Sequence, residues 1–384
     1  MQDEKSSGLA MPSVAWIVAA LVALAVVGFG CYQAGSNSAT ARLEKQMAAE
    51  QEFNIALAKS EFEGLDIEEG QTIYVTGHKS PDTDTVCCAI AYARLLEKLG
   101  YKAQAVILGP INKETAYVLD TVGVPTPEVL EDASEKYMVL VDHADYEQSA
   151  NGLEDAHIVS IIDHHGVGTV SVVNPIVYDA RPLGSTATIV WMRYCNFGVE
   201  IDPQTAKLLV GAILSDTVNL KNATTADKEA VKALSKIASF DNLDEFYTQM
   251  HKASLSYEGM TKEEIFLSDV KVYESAGTRF AIGCVNAYDE EAAKDLAQQM
   301  KEIMESQLVP LDVKMAFAQV SVFHDDVSIN YLVPSNEAAA EVLKEAFGDR
   351  ATFDGTSYVL EPGGSRKKVI MPAISNTLAE HPVE

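Results

Sequence analysis

Apolar and polar positions follow strand and helix spacings in turn, and the first clear unit begins with QTIYVTGH at residues 71–78. This run is β-rich, and Pro81 disfavours an early helix because the residue before a proline is held extended. Apolar side chains then recur at helical spacing from Val86 to Leu99, and Gly100 supplies a stop. The pattern predicts a strand, a loop and a helix in that order.

Further apolar runs indicate strands at residues 103–109, 137–142 and 157–163, with helical or loop material between several of them. Segment 202–216 predicts a helix, with Asp202 at its cap and a proline in its first turn. Mostly apolar strands that alternate with helices are typical of a parallel sheet covered on both faces. This part of the chain is therefore predicted to be an α/β domain.

The order of predicted strands and helices changes after a polar stretch at residues 254–262, where we place a domain boundary. Helical patterns follow at residues 289–307 and 336–347. Strand candidates flank them at residues 279–286, 314–323, 327–333 and 356–360. The last part of the chain is therefore predicted to be a smaller domain of mixed α/β structure.

Residues 14–32 contain no charged side chain, and their length suits a helix that crosses a bilayer. A cleaved secretory signal, giving an exported form, is the alternative, but the apolar run is long and its leader is not basic. We therefore expect a tail at 1–13, a single-pass membrane anchor at 14–32 and a partly helical tether at 33–66. The lysine and arginine residues near the span favour a cytoplasmic catalytic region.

The charge balance narrows the possible partners. With 29 Lys+Arg and 56 Asp+Glu among 384 residues, the formal net charge is −27 at pH 7. So acidic a chain repels polyanions, which argues against nucleic acid and anionic lipid surfaces as general partners. Any phosphate chemistry must therefore depend on a bound cation or on a local basic group.

Acidic and histidine side chains gather where predicted strands and one helix end. These side chains are His78, Asp82, Asp84, Asp142, His143, Asp163, His164, His165 and Asp216. The carboxyl ends of parallel strands lie at one edge of a sheet, and converging carboxylates repel one another unless cations are present. A donor set without thiolates suits Mn²⁺, Mg²⁺, Fe²⁺ or Co²⁺, and so many ligands predict two ions that share a carboxylate.

Each of these residues also has a simpler interpretation. Asp142 or Asp216, taken singly, fits a helix cap or a turn residue. His143 fits a packing neighbour, and Asp163 fits a residue that orients a histidine. The equivalent placement of all the clusters is what favours a metal site.

A basic run interrupts this acidic chain near its end. EPGGSRKKVIMP, residues 361–372, places Arg366, Lys367 and Lys368 after two glycines. A guanidinium binds phosphate oxygens through two hydrogen bonds and an ammonium neutralises them, so the run predicts an anion site. A solvated basic turn is the alternative. Lys271, at the entry to the second domain, is a further candidate.

Six separated motifs carry a resemblance to a known family. GHKSPDTDT, VDHAD, IIDHHG, GSTATI, AILSDT and SRKK, in this order and at these intervals, resemble the family II inorganic pyrophosphatases of the DHH phosphoesterase superfamily. The resemblance implies a parallel-sheet DHH domain at 67–256 and a smaller DHH-associated substrate-binding domain at 262–384. The active site would lie in the cleft between them.

The resemblance also implies an activity, hydrolysis of inorganic pyrophosphate to two phosphates by a water that bridges two Mn²⁺ ions. Co²⁺ or Mg²⁺ would be possible substitutes, additional Mg²⁺ would arrive with the substrate, and a homodimer is possible. One ion would be held by His78 and Asp82, with Asp142 as the bridge. The second ion would be held by Asp84, His164 and Asp216. Substrate binding would fall to His165, Lys271, Arg366 and Lys367, and catalysis to Asp142, His165, Arg366 and Lys367.

Two residues depart from the family pattern. Ala144 stands where VDHNE-type motifs have Asn, and Gly166 stands where DHH is usually followed by Arg. These departures keep open a non-catalytic, membrane-tethered sensor of phosphate or metal. The alternative enzymes are an exopolyphosphatase and a phosphodiesterase for oligonucleotides or cyclic dinucleotides. The sequence lacks the GGGH-like motif of the nucleotide-cleaving branch, which favours pyrophosphate.

Overall fold

The computed structural model describes residues 38–57, 60–63, 67, 70–324 and 327–381. The chain divides into two compact units. The first comprises Met1–Gly109 and Pro127–Ser239, and the second comprises Pro110–Thr126 and Phe240–Glu384. Segment Pro110–Thr126 thus belongs to the second unit, although strands of the first unit flank it in the sequence.

Strands and helices are numbered here in chain order. The strands are β1 (Ile73–Thr76), β2 (Ala103–Ile107), β3 (Glu128–Val129), β4 (Tyr137–Val141), β5 (His157–Asp163), β6 (Val177–Ala180), β7 (Val270–Ser275), β8 (Thr278–Ala287), β9 (Met315–His324), β10 (Val327–Pro334), β11 (Ala351–Phe353) and β12 (Tyr358–Leu360). The helices are α1 (38–57), α2 (Thr83–Lys98), α3 (Lys113–Val122), α4 (Thr186–Phe197), α5 (Pro203–Asp216), α6 (Thr225–Ala238), α7 (Leu243–Ser254), α8 (Lys262–Leu267), α9 (Glu290–Gln307), α10 (Glu337–Phe347) and α11 (Met371–Glu380).

The sheet of the first unit is parallel throughout, as its apolar strand runs predict, in the order β3-β2-β1-β4-β5-β6. The chain proceeds from β1 toward one edge and then returns to place β4 on the other side of β1. Loops that leave two such strands diverge, which opens a crevice at their carboxyl ends. The acidic and histidine clusters after β1 and β4 therefore lie at the switch point of the sheet.

Helix α2 is the central helix of the first unit. It lies against β1 and β2 and contacts α4 and α5, and most of its side chains are buried, including those of its first turn. The Asp82 side chain caps it by accepting a hydrogen bond from the Thr85 amide at 2.9 Å. Because α2 is covered on several sides, its first turn presents Asp84 to the interior and not to solvent.

Helices α4 and α5 also begin at side-chain caps. Ser185 accepts a hydrogen bond from the Ala187 amide at 3.1 Å, and Asp202 accepts one from the Thr205 amide at 2.9 Å. Pro203 occupies the first turn of α5, as the sequence predicts. Helix α5 then ends at Asp216, which places that carboxylate at a helix terminus.

The second unit contains a mixed sheet in the order β11-β12-β10-β9-β8-β7. Strands β8 and β9 are parallel, and the pairs on either side are antiparallel. One buried cluster packs α9 residues such as Met300 against one face, and another packs Leu343 of α10 and Ile374 of α11 against the other. The predicted strands at 279–286, 314–323, 327–333 and 356–360 correspond to β8, β9, β10 and β12.

The predicted transmembrane helix requires correction, and with it the predicted single-pass membrane anchoring. Residues 14–32 lie outside those that the structure describes, and no helix within the described ranges is long and apolar enough to cross a membrane. Helix α1, within the predicted tether, carries charged residues such as Arg42 and Glu44 on an exposed surface, and such side chains are costly in hydrocarbon. The described helices therefore do not support the membrane partner expected from the sequence.

Candidate active site

The first ligand set lies at the carboxyl ends of β1 and β4. His78 Nε2 is 3.4 Å from Asp82 Oδ2 and 3.5 Å from Asp142 Oδ2. One nitrogen or oxygen from each of these three residues lies within 4.8 Å of the corresponding atoms of the other two. This spacing is suited to three side chains that share one cation.

The second ligand set also contains Asp142. His164 Nε2 is 3.4 Å from Asp142 Oδ1 and 3.6 Å from Asp216 Oδ2. Asp84 joins these three residues in a cluster whose potential ligand atoms all lie within 4.8 Å of one another. Asp142 directs one oxygen toward each histidine, so the two sets are adjacent and share a carboxylate.

The shared carboxylate of Asp142 is fixed by its backbone and by two hydroxyl groups. Its φ of 64° is left-handed, a conformation that a short polar side chain tolerates, and the residue is only 2% exposed. Thr85 Oγ1 donates to Oδ2 at 2.8 Å, and Thr186 Oγ1 donates to Oδ1 at 3.0 Å. Burial opposes its charge, but hydrogen bonds from His164, His78 and Thr85 hold its pKa well below the usual range.

The Asp84 carboxylate is surrounded by the start of α4. Ser185 Oγ donates to Oδ1 at 2.8 Å, and the amides of Thr186 and Ala187 donate to Oδ2 and Oδ1 at 2.7 and 3.1 Å. A helix N-terminus favours negative charge at this point. Burial and the nearby Asp142 charge nevertheless raise the pKa of Asp84 to about 6.

The other residues of the two ligand sets have shifted pKa values because ionisable groups lie close together here. Burial and the adjacent Asp84 raise the pKa of Asp216 to about 12. Burial opposes a charged histidine, but hydrogen bonds to Asp142 and Asp82 raise the pKa of His78 to about 10. Against the same burial effect, the hydrogen bond to Asp142 raises the pKa of His164 to about 9.

This chemistry fits two divalent cations. Carboxylate and imidazole donors without a thiolate ligand suit Mn²⁺ better than structural zinc. The buried carboxylates repel one another, and either protons or metal ions can relieve that repulsion. The residues present can therefore hold one ion through His78, Asp82 and Asp142 and a second through Asp84, Asp142, His164 and Asp216.

His165 lies beside the ligand sets on a more open surface. Its Nδ1 is 2.9 Å from Asp163 Oδ1 and 3.8 Å from Asp142 Oδ1, and its side chain is 55% exposed. The bond to Asp163 raises the pKa of His165. Asp163 is buried at the end of β5 and orients this ring, whereas His143 is buried with its Nε2 2.9 Å from Ser149 Oγ.

The two departures from the family pattern border a cavity of about 250 Å³ next to His165. Ala144 is buried, and its carbonyl accepts a hydrogen bond from the Val170 amide at 3.0 Å. Gly166 has open space where a side chain would project. Neither residue displaces a member of the two ligand sets.

The basic run lies in the second unit, where Arg366–Ile370 form one turn of π-helix after the two glycines; these residues and the glycines are called the basic loop here. Arg366 Nη1 donates to the carbonyls of Asp269 and Ile282 at 2.5 and 3.2 Å, and its Nη2 lies 2.7 Å from Asp269 Oδ1. Lys271 is exposed and pairs with Ile282 across β7 and β8. Arg366 and Lys271 therefore lie near one another in this unit, with exposed Lys367 following in the sequence.

Close packing explains the two glycines of the basic loop. A Cβ at Gly363 would lie 2.6 Å from Asn330 Oδ1, and one at Gly364 would lie 2.5 Å from a Val369 methyl group. The Gly364 carbonyl accepts hydrogen bonds from Asn330 Nδ2 and Gln319 Nε2 at 2.6 and 2.9 Å. The backbone is thus fixed immediately before Arg366.

Sequence reasoning found the acidic and histidine residues but missed the groups that hold them. Thr85, Ser185 and Thr186 donate hydrogen bonds to Asp84 or Asp142. The GSTATI motif contained the signal, because a serine before a helical run indicates an N-terminal cap. Its target could not be predicted, since Asp84 lies 101 residues from Ser185 in the chain.

The chain matches known proteins over both of its units. The model of the DHH family N-terminal domain matches residues 72–213, and the DHHA2 domain model matches residues 248–377. The manganese-dependent inorganic pyrophosphatase of Methanothrix thermoacetophila is 36% identical over 309 residues, covering 79% of this chain and 97% of that relative. The manganese-dependent inorganic pyrophosphatase of Bacillus subtilis is 32% identical over 314 residues, covering 81% of this chain and 100% of that relative. A solved structure described as a family II inorganic pyrophosphatase, from Methanococcus jannaschii, has a TM-score of 0.50 and 33% identity over 79% of this chain and 99% of its own.

Proposed function

Since the chain belongs to the family II, manganese-dependent inorganic pyrophosphatases, we propose that it hydrolyses inorganic pyrophosphate to two phosphates. The observation that carries this function is the pair of ligand sets that share Asp142. Pyrophosphate is the substrate, and manganese is the cofactor. The resemblance stated from the motifs is confirmed by these relatives.

When bound, two Mn²⁺ ions would lower the pKa of a water molecule, so that hydroxide becomes available to attack phosphorus, and would supply positive charge that stabilises the phosphoryl oxygens. The protein's own contribution is to fix the donors. Thr85 and Thr186 hold the two Asp142 oxygens in place, and the start of α4 holds Asp84. This rigidity matters because small displacements of metal ligands reduce metal affinity and activity.

We propose that His165 donates a hydrogen bond or a proton to the substrate. Its exposed ring borders the ligand sets, and Asp163 Oδ1 lies 2.9 Å from its Nδ1. That contact leaves Nε2 to face outward, where it can reach a phosphate oxygen. A carboxylate partner also favours the protonated ring, which is the form able to donate.

We propose further that Arg366, Lys367 and Lys271 bind the phosphate groups of the substrate. The support comes from the second unit alone, where backbone carbonyls and Asp269 fix Arg366 and where Lys271 projects from the neighbouring strand position. A guanidinium and ammonium groups complement a highly charged anion. No covalent intermediate on the protein is required.

Phosphate release from pyrophosphate, tripolyphosphate and a linear dinucleotide in the presence of Mn²⁺ tests the function directly. Pyrophosphate should be hydrolysed with the highest kcat/KM. Preferential cleavage of the dinucleotide or of tripolyphosphate would contradict the proposal. Binding of Mn²⁺ and pyrophosphate without phosphate release would also contradict it, and would favour a sensor.

We propose domain limits of 67–256 and 262–384. The polar stretch between α7 and α8 supports a boundary, although α3 contacts α7 within the second unit, with the rings of Tyr117 and Phe246 6.1 Å apart. Limited proteolysis should therefore cut between α7 and α8. Initial cleavage inside α7 or α8 would contradict these limits.

A homodimer is likewise a proposal. Strand β6 lies at one edge of the parallel sheet, and Tyr178 on that strand and Val173 before it are exposed. Open strand edges with apolar side chains favour association. Light scattering at micromolar concentration should give the mass of two chains, and a monomer mass would overturn this proposal.

A further inference from the structure

Asp227 is a buried carboxylate outside both ligand sets. It is completely inaccessible to solvent. Its Oδ1 accepts a hydrogen bond from Thr188 Oγ1 at 2.6 Å, and its Oδ2 accepts bonds from the Gly184 amide at 2.9 Å and from Thr224 Oγ1 and the Thr224 amide at 2.7 and 2.8 Å. These four donors are neutral groups, so hydrogen bonds compensate for removing the charge from water.

The donors to Asp227 come from two separate segments. Thr224 is the N-terminal cap of α6, and its reciprocal bonds with Asp227 form a capping box. Gly184 and Thr188 belong instead to the turn that opens α4. Helix capping explains the bonds to Thr224 but not the bonds to the turn. Asp227 therefore joins α6 to the start of α4.

The turn from Gly184 to Thr188 contacts Asp227 at both of its ends and the metal-ligand carboxylates in between. Ser185 Oγ and the Thr186 and Ala187 amides donate to Asp84, and Thr186 Oγ1 donates to Asp142. A single five-residue turn thus lies between one carboxylate outside the ligand sets and two carboxylates within them.

The backbone of this turn approaches Asp227 closely at Gly184. A Cβ at Gly184 would lie 2.6 Å from Asp227 Oδ2, so the glycine allows the backbone amide to reach the carboxylate. Moving the turn away would break the hydrogen bonds to Gly184 and Thr188 and would displace the donors to Asp84. The position of Asp84 therefore depends on that of Asp227.

From this chain of contacts we propose that Asp227 is a positioning residue for the metal centre, which acts through the 184–188 turn on Asp84 and Asp142. The proposal rests on the two-metal site of the proposed function. Residues that orient metal ligands contribute roughly 10- to 100-fold to metal affinity. Loss of the Asp227 charge should therefore weaken Mn²⁺ binding without removing any ligand.

Asp227→Asn keeps the side-chain size but replaces one acceptor oxygen with a donor. Glu264→Gln is the matched control, because Glu264 forms the same type of capping box with Thr261 at the start of α8. Thr188→Val is the milder variant, since it removes only the hydroxyl that donates to Asp227. Each purified full-length variant is stripped of metal, its thermal unfolding is recorded, and Mn²⁺ binding is measured by titration calorimetry.

Asp227→Asn should weaken Mn²⁺ binding about tenfold, and Thr188→Val should weaken it by a smaller factor in the same direction. Glu264→Gln should bind Mn²⁺ like the unmodified protein, although both cap variants unfold at lower temperature. Unchanged Mn²⁺ affinity in Thr188→Val together with folded Asp227→Asn would overturn the proposal and leave Asp227 as a helix cap. If Asp227→Asn does not fold, unchanged affinity in Thr188→Val alone overturns it. Failure of the proposed function is separate: the unmodified protein would then bind Mn²⁺ but would not hydrolyse pyrophosphate.

Discussion

The carboxylates proposed as metal ligands in the first unit and the cationic groups of the second unit are held in different ways. Asp84 and Asp142 are buried, and hydroxyl and amide donors hold their oxygens. Lys271 and Lys367 are exposed, and Arg366 is held by the Asp269 carboxylate and two backbone carbonyls. In the acidic region, formed by the two ligand sets, the protein's own donors hold the carboxylate oxygens in place, whereas in the basic region, formed by Lys271, Arg366 and Lys367, the two lysines project into solvent.

The two regions therefore differ in when the free-energy cost of ordering their side chains arises. Buried carboxylates that repel one another gain most from a cation, so the cost of bringing them together is met when the protein folds. Exposed lysines lose rotamer freedom only when an anion binds. Substitutions in the acidic region should therefore act mainly on metal content, and those in the basic region on pyrophosphate binding.

The largest effect should follow Asp142→Asn, which removes the charge shared by both ligand sets. Residues that only orient ligands contribute 10- to 100-fold, so loss of the shared ligand should reduce kcat by more than about 100-fold. Phosphate release at saturating pyrophosphate measures this effect, and far-UV circular dichroism serves as the control for folding. Near-normal turnover would contradict the proposal that Asp142 is the carboxylate shared by the two metal ions.

A smaller effect should follow Lys367→Ala in the basic loop. A hydrogen bond to a charged group contributes about 1.5–3 kcal/mol, which corresponds to a loss of roughly 10- to 100-fold in kcat/KM for pyrophosphate. The matched control is Lys368→Ala, which removes a lysine of similar exposure from the same turn. Equal losses in the two variants would indicate a general charge effect and not a specific contact.

The pH dependence of Mn²⁺ binding tests the acidic region separately from the basic region. In the metal-free protein the pKa values of His78, His164 and Asp216 are raised to about 10, 9 and 12, so all three groups are protonated at pH 8. A metal ion must displace these protons, so Mn²⁺ affinity should keep rising with pH past about 10, where His78 loses its proton, and should fall as the pH is lowered.

Titration calorimetry in buffers of different ionisation enthalpy measures the number of protons released. At pH 8 we expect at least about two protons to leave when the site fills with Mn²⁺. Binding enthalpies that do not vary with the buffer would contradict the crowded, protonated centre described here. Lys367→Ala should leave the proton count unchanged, because that residue belongs to the other region.

The smallest effect should follow Asp269→Asn, which weakens the support of Arg366 but removes no group proposed to touch substrate. An ion pair with one exposed partner contributes about 0.2–1 kcal/mol, so KM for pyrophosphate should rise by a factor of roughly 1.4 to 5. Steady-state kinetics measure the change, and Mn²⁺ affinity is the internal control. A loss of Mn²⁺ affinity with KM unchanged would reverse the assignment of this residue.

The sequence predicts much of the acidic region because strand ends are local features. His78 and Asp142 follow apolar runs that become β1 and β4, and Asp82 precedes a clear helical spacing. The sequence could not predict the support from Thr186 or Asp227, since hydrogen bonds between distant segments leave no periodic pattern. Strand β6 was missed because its residues are partly exposed and do not form an apolar run.

Whereas β6 was not predicted, the N-terminal segment gave a prediction that requires correction. Residues 14–32 have the composition of a membrane span, and local hydropathy alone produced that prediction. Residues 61–62, within the predicted tether, make tertiary contacts that hydropathy along the sequence cannot predict. Phe62 is buried against the rings of Tyr101 and Phe197, and Glu61 pairs with buried Arg193. Part of the predicted tether is therefore packed within the first unit.

The most direct test of the account is the number of Mn²⁺ ions bound by one chain. Metal-stripped protein is titrated with Mn²⁺, and free ion is followed by electron paramagnetic resonance, in the unmodified protein and in Asp142→Asn. The shared carboxylate predicts two ions for each unmodified chain, with weakened binding of both ions in the variant. A single ion in the unmodified protein, or two ions bound with unchanged affinity in the variant, would contradict a centre built around Asp142.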